Sequence, residues 1–287
     1  MDMAPAVVVV GFGIAGAYIA MNLLAAAPVA VNTGPTPTPV LSPSLPGSPS
    51  ALPLVTTVPS VTPFPAASLP SRGPTFVHSY INESDPGGIW IVDLGYPSFV
   101  LGSTPWARSM NGDIKDEMEI RVAQWEEGSA AERQVPGKVN RLTGSFTTEL
   151  LTPALASFTL TWTDDSSATA PSTFVETLNY DLSTGQRIAF DDLFSDTSSA
   201  LDIMSVDARS LLQNQLGISY DPSLASKGTS ALPANYLHWA LSPSGLKVTF
   251  DQNQVTPGKS LPTILVPWSA LRSAMVTTGP VARLAGV

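Results

Sequence analysis

Cysteine is absent from the chain, which removes disulfides, thiolate metal ligands, cysteine nucleophiles and lipid attachment through a lipobox cysteine. Charge is absent from one end: between Asp2 and Arg72 there is no Asp, Glu, Lys or Arg. Apart from those two residues, 22 of the 23 acids and 13 of the 14 bases lie beyond Arg72, so the net charge of −9 belongs to that part. An acidic balance of this kind argues against sequence-independent binding to nucleic-acid phosphates or anionic lipid, and nucleic acid is not an expected partner. Histidine is scarce too, with only His78 and His238 available as imidazole bases or ligands.

Three segments follow from composition. Residues 4–31 carry no charge and exceed the roughly 20 apolar residues that span a bilayer as a helix, so they read as a membrane anchor or signal segment. Retention as an anchor is the favoured reading. Met1-Asp2-Met3 offers no basic leader, and the small-residue run Ala25-Ala26-Ala27 is followed by Pro28. Charge does not orient the segment, because no Lys or Arg flanks it.

Residues 32–73 form a Pro/Thr/Ser-rich linker. Eleven prolines between Thr33 and Pro70 forbid regular helix or central strand and favour an extended, disordered spacer. Residues 74–287, about 210 in all, are enough for a self-sufficient core.

Within the apolar segment stands a G-x-G-x-x-G run at Gly11, Gly13 and Gly16, preceded by Val7-Val8-Val9-Val10. In a dinucleotide site such glycines bring a pyrophosphate to a helix N-terminus, and an acid about 20 residues on receives the ribose. Here Val31 and Asn32 stand near that point, the next acid is Glu83, and a proline-rich tract replaces the further β-α-β units. No dinucleotide is therefore expected. Small residues on one side of a membrane helix account for the pattern.

Beyond Pro74 the pattern is α+β, a mixed or antiparallel sheet with two principal helices. One helix is expected to start with Thr104 as cap and Pro105 in its first turn. It carries Trp106, Met110, Ile114, Met118, Val122 and Trp125 on one face and stops at Gly128. A second follows Ser198, burying Leu201, Met204, Ala208, Leu211 and Leu212 before Gly217. Strands are read at Ile89–Leu94, Ala156–Trp162, Phe174–Tyr180 and Thr263–Val266, the last leading into a short helix over Ser269–Met275. Two hairpins turn through Ser183-Thr184-Gly185 and Ser242-Pro243-Ser244-Gly245, each placing glycine where a positive φ is expected.

The run from Asn179-Tyr180-Asp181 through Gly185 to Asp191-Asp192-Leu193-Phe194 resembles the signature of the RsiV/PdaC-type extracytoplasmic C-terminal domain family. The stretch Asn235–Phe250, then Gly258, then Ile264-Leu265-Val266-Pro267-Trp268-Ser269-Ala270-Leu271 is similar to the closing hairpin and strand of that domain. Secreted mycobacterial immunogenic proteins show a similar domain. The resemblance covers about Pro74 to Met275. It implies an α+β fold of β-grasp-like type displayed outside the membrane, acting by binding, as in lysozyme capture by the RsiV type, or beside a separate catalytic domain. No anti-sigma segment precedes the apolar run and no deacetylase domain is present, so neither activity is carried over.

Candidate chemistry is sparse. His238 lies between Leu237 and Trp239 and belongs to no ligand-spaced motif, and the same holds for His78. The pairs Asp164-Asp165 and Asp191-Asp192 are adjacent residues, which on a strand point to opposite faces and on their own build no shared carboxylate site. Both read as turn residues. Trp90, Trp162, Trp239 and Trp268 read as core.

No catalytic, cofactor-binding or metal-binding residue is assigned, no cofactor is expected, and the binding surface is unknown from sequence. The expected function is a non-catalytic binding domain, extracytoplasmic and anchored by one N-terminal helix, or secreted if that helix is cleaved. Its partner would be a protein or a cell-envelope glycan. One alternative is an envelope hydrolase using carboxylates or Ser with His238. Another is a structural subunit whose N-terminal helix packs in a membrane complex through Gly13, Ala17 and Ala20.

Overall fold

The computed structural model describes residues 74–131, 137–166 and 170–287. The expected anchor over residues 4–31, with Gly11, Gly13 and Gly16, and the linker over residues 32–73 lie outside the described residues. Among the described residues no helix is long and apolar enough to cross a membrane.

The architecture is α+β with two sheets. The larger is mixed: β1 (Phe76–Ser84), β2 (Trp90–Phe99), β3 (Asn140–Leu151), β4 (Leu155–Asp164), β5 (Ser172–Asp181) and β6 (Gln186–Arg187) lie side by side in chain order. Neighbours pair antiparallel except β2 and β3, which run parallel because helix α1 (Ala107–Ala131) carries the chain back between them. The second sheet is an antiparallel trio, β7 (Trp239–Leu241), β8 (Gly245–Thr249) and β9 (Thr263–Pro267). Helix α2 (Thr197–Leu216), the short α3 (Pro222–Gly228), α4 (Trp268–Leu271) and α5 (Gly279–Ala285) complete the described α-helices.

Two cores result. Met110, Ile114, Met118, Val122 and Trp125 recur at helical spacing along α1 and pack with Val92, Leu94, Leu142, Phe158 and Leu160 of the large sheet. Asn111 fixes the start of this helix. Its carboxamide accepts from the Phe99 N–H at 2.7 Å and donates to the Phe99 carbonyl at 2.8 Å. The second core gathers Leu201, Met204, Ala208 and Leu212 of α2 with Leu246, Val248, Val266, Leu271, Val281 and Ala285. Asp196 caps α2 by accepting from the Ser199 N–H, and Gly217 closes it at φ 53°.

Several expectations are corrected. Trp106 does not extend the buried stripe: it is 41% exposed, sits before the first helical residue, and donates its indole N–H to the Ser183 carbonyl. Gly128 does not stop α1, which continues to Ala131, because a glycine inside a packed helix lowers its stability without ending it. α2 begins at Thr197, before Ser198, with Asp196 as its cap, and Leu211 is only half-buried. β2 runs on through Pro97 to Phe99, and α4, expected over Ser269–Met275, ends at Leu271 while Met275 instead bridges to Phe194.

The hairpin glycines differ in kind. Gly185 has φ 73°, as expected, but Gly245 is not among the positive-φ residues. Its requirement is space: a β-carbon there would lie 2.2 Å from the Val266 carbonyl oxygen.

A buried polar junction joins the two sheets. Ser157 Oγ donates to Asn179 Oδ1 at 2.6 Å, Asn179 Nδ2 donates to the Trp239 carbonyl at 2.9 Å, and the Leu241 N–H donates to Ser157 Oγ at 2.9 Å. β7 pairs with β8 on one side, and these two side chains satisfy its other edge. Asn179→Ala is expected to cost on the order of 2 kcal/mol by stranding the Trp239 carbonyl. Gly245→Ala is expected to cost about 1–3 kcal/mol by overpacking. Urea denaturation should show lower midpoints for both at an unchanged slope.

Candidate functional site

The signature around Asn179 is the first place to look for chemistry, and several of its residues already serve the fold. Asp181 accepts from the N–H and the hydroxyl of Ser183, closing the turn. Gly185 passes so close to Trp106 that a β-carbon would lie 2.4 Å from the Trp106 β-carbon. Asp192 accepts from the Ala189 N–H across the 3-10 turn Phe190–Leu193, while Leu193 and Phe194 enter the second core. The doublet Asp191-Asp192 therefore lies in a turn, as expected. Asp164-Asp165 ends β4 likewise: Asp164 accepts from the Ser166 N–H, and Asp165 pairs with Lys138 at 2.8 Å.

Tyr180 and Arg187 belong to a polar cluster between α1 and β5–β6. The Tyr180 hydroxyl donates to Asp113 Oδ2 at 2.5 Å, and Arg187 Nε meets the same oxygen at 2.7 Å. Arg187 also reaches Glu117 at 3.6 Å, and Arg121 bridges Glu117 at 3.2 Å and Glu176 at 3.4 Å. Burial pushes the Tyr180 hydroxyl well above its ordinary range, and the bond to Asp113 adds to that. Burial works against charge on Arg187, but Tyr180 and Asp113 more than offset it and hold the guanidinium protonated.

Glu176 is the titratable member. Burial raises its carboxyl to about 7, with Arg121 opposing and Glu117 reinforcing the shift. Sequence reasoning missed this cluster because Asp113, Glu117 and Arg121 look like a solvated helix face until β5 and β6 are laid against it. The spacing of Glu117 and Arg121 by four residues was the one legible sign of an ion pair.

The histidines do not converge with the acidic doublets. His78 is exposed on β1, with its ring 4.5 Å from that of Phe146. His238 stands just before β7 and places Nε2 3.2 Å from Asp251 Oδ1, its polar side-chain partner among the described residues. Trp162, Trp239 and Trp268 are buried as expected, and Trp90 is half-buried against Trp125. A cleft of about 260 Å³ runs between Gln186-Arg187 and the Val276–Val281 segment, with Asp181 and Asp192 on its walls.

The face of β3, β4 and β5 away from α1 is open along β3 and closes toward Val175 and the Ser157–Asn179 pair, which are buried. Residues directly paired across a sheet share a face, so the register aligns Thr143 with Thr163 and Thr173, Ser145 with Thr161 and Val175, and Thr147 with Thr159 and Thr177. Thr143, Ser145 and Thr147 are exposed, and the threonines of β4 and β5 are half-buried. No charged side chain stands in these rows. One boundary is the pair Lys247–Glu149 at 2.6 Å, and at the start of β5 Lys259 donates to the Pro171 carbonyl. The repeated alternation of Thr or Ser with apolar residues in Thr143–Thr147 and Thr159–Thr163 was the sequence signal for this face.

No protein-family model matches the chain, and no curated protein matches it. Solved structures do. A member of the DUF3298 family from Bacteroides fragilis superposes with a TM-score of 0.52 at 14% identity, over 74% of this chain and 98% of that one. A DUF3298 family protein from Pseudomonas aeruginosa gives a TM-score of 0.50 at 14% identity, over 73% and 95%. At that identity the likeness is one of fold, and as a fold it is consistent with the RsiV/PdaC-type resemblance.

Glu176 generates a pH dependence. The folded domain retains a proton up to about pH 7 that the unfolded chain surrenders near 4.5, so stability is highest below that window and falls as pH rises through it. Glu176→Gln removes the titration, and thermal melts of the variant should show a smaller fall between about pH 5 and about pH 8 than the parent.

Proposed function

We propose that residues 74–287 form a non-catalytic binding domain of RsiV/PdaC-type, β-grasp-like kinship that works outside the cytoplasmic membrane. Residues 4–31 hold it there as a single helix, or direct secretion if cleaved, and residues 32–73 are the spacer. Its partner is an envelope or host macromolecule, a protein or a glycan. The observation that carries this reading is the set of three uncharged, hydroxyl-rich rows on the face of β3–β5 opposite to α1, exposed along β3 and bordered by Arg141 and Asp93. A broad, regular array of short hydroxyls supplies hydrogen bonds at low side-chain entropy cost.

The polar groups within the signature support the same reading from the other side. Asn179, Asp181 and Asp192 are engaged in holding turns and sheets. A hydrolase is the second reading, and the His238–Asp251 pair is the specific observation in its favour, since an imidazole oriented by a carboxylate is half of a nucleophile-activating relay.

Binding of the full chain to a panel of envelope polysaccharides and host proteins tests the first reading. Capture should fall at least about tenfold for the double variant Thr147→Glu, Thr161→Glu, which sets charges on the face. Equal capture by parent and variant would remove the face from the function. Turnover of an ester, amide or glycoside panel that disappears in His238→Ala would establish the hydrolase instead. Membrane fractionation of the tagged chain, with protease access to whole cells, tests the anchor and its orientation.

A further inference from the structure

Among the described residues, β1 lies at the end of the large sheet and pairs only with β2. Two bonds fix the phase of that pairing. The Val100 N–H donates to the Thr75 carbonyl at 2.9 Å and the Asp85 N–H to the Trp90 carbonyl at 3.0 Å. Both join residues directly opposite each other in the same register, and that register has no bulge between them. In an antiparallel ladder the hydrogen-bonded positions alternate, so the odd-numbered residues of β1 face β2. The N–H and C=O groups of Phe76, His78, Tyr80, Asn82 and Ser84 therefore point to the free edge.

This edge lacks the devices that protect monomers. It holds no proline, no lysine and no formal charge from Phe76 to Asn82, and Val77 and Tyr80 are 51% and 58% exposed. The chain ahead of it is a poor cover, because between Pro35 and Pro70 its longest proline-free run is the five residues 54–58, shorter than β1. An acidic molecule resists self-association through most of its surface, and this strand is the stretch where that repulsion is locally absent.

We propose that β1 pairs antiparallel with β1 of a second copy about a two-fold axis at Tyr80, continuing one large sheet into the other. The five outward positions are symmetric about Tyr80, so the dimer sets Phe76 opposite Ser84, His78 opposite Asn82, and Tyr80 opposite itself. Glu83 then faces Val77, and no two acids are opposed. The two Tyr80 rings flank the axis and bury each other's exposed faces. This interface uses an edge distinct from the hydroxyl face of β3–β5, which it leaves open in both copies.

Sedimentation velocity of the full chain over a range of concentrations, in detergent-containing buffer, reads the association. The parent is expected to dimerise, and Tyr80→Lys, which opposes two cations on the axis, is expected to sediment as a monomer. His78→Pro removes an outward N–H without touching the ladder to β2, and should also abolish the dimer while retaining the circular dichroism of the parent. Because the chain has no cysteine, Tyr80→Cys introduces a single thiol at a spacing of about 5.5 Å across the axis, within disulfide reach. Mild oxidation should give a covalent dimer with it and none with Ile218→Cys, placed at a fully exposed site elsewhere. A monomer at every concentration would overturn the proposal. So would a dimer indifferent to Tyr80→Lys, such as one made by residues 4–31, or equal cross-linking of the two cysteine variants.

Discussion

The described domain depends on one buried polar contact, the junction of Ser157 and Asn179 with the free edge of β7. The two cores meet there, and a short strand has to end inside protein without a neighbour strand on that side. A backbone edge buried without partners would cost about as much as several lost hydrogen bonds. Two short side chains supply those bonds, and their geometry sets where the small sheet sits on the large one. Apolar residues at the same positions would have left the relative placement of the cores to packing alone.

The same logic explains the rest of the signature. Asp181, Gly185 and Asp192 shape the path from β5 to the second core, and Tyr180 and Arg187 fasten that path to α1 through Asp113. The signature thus reads as an architectural statement about how two halves are joined. The DUF3298 structures that share the fold are 14% identical to this chain.

Legibility in the sequence followed the range of the interactions. Met110 to Trp125 and Leu201 to Leu212 announce their helices because helical spacing is local, and Gly217 ends α2 for a local reason. Trp106 misled because its apolar ring continues the α1 pattern, whereas its indole is claimed by Ser183 from a distant turn. Gly245 misled in the same way: a turn glycine and a glycine pressed against Val266 look identical in one dimension. Of the candidate site, the alternating threonines were visible, but their alignment into rows depends on the registers of β3, β4 and β5, which no single strand encodes. Glu176 was illegible, because its burial arises only where α1 crosses β5.

The small helix α5 places Val281 and Ala285 within the second core, beside residues from α2 and β9. That core cannot close before Ala285 has been made, since part of its filling is synthesised after everything it packs against. Until Ala285 emerges, the faces of α2 and the small sheet remain open to solvent, and the nascent polypeptide stays pliable over that half.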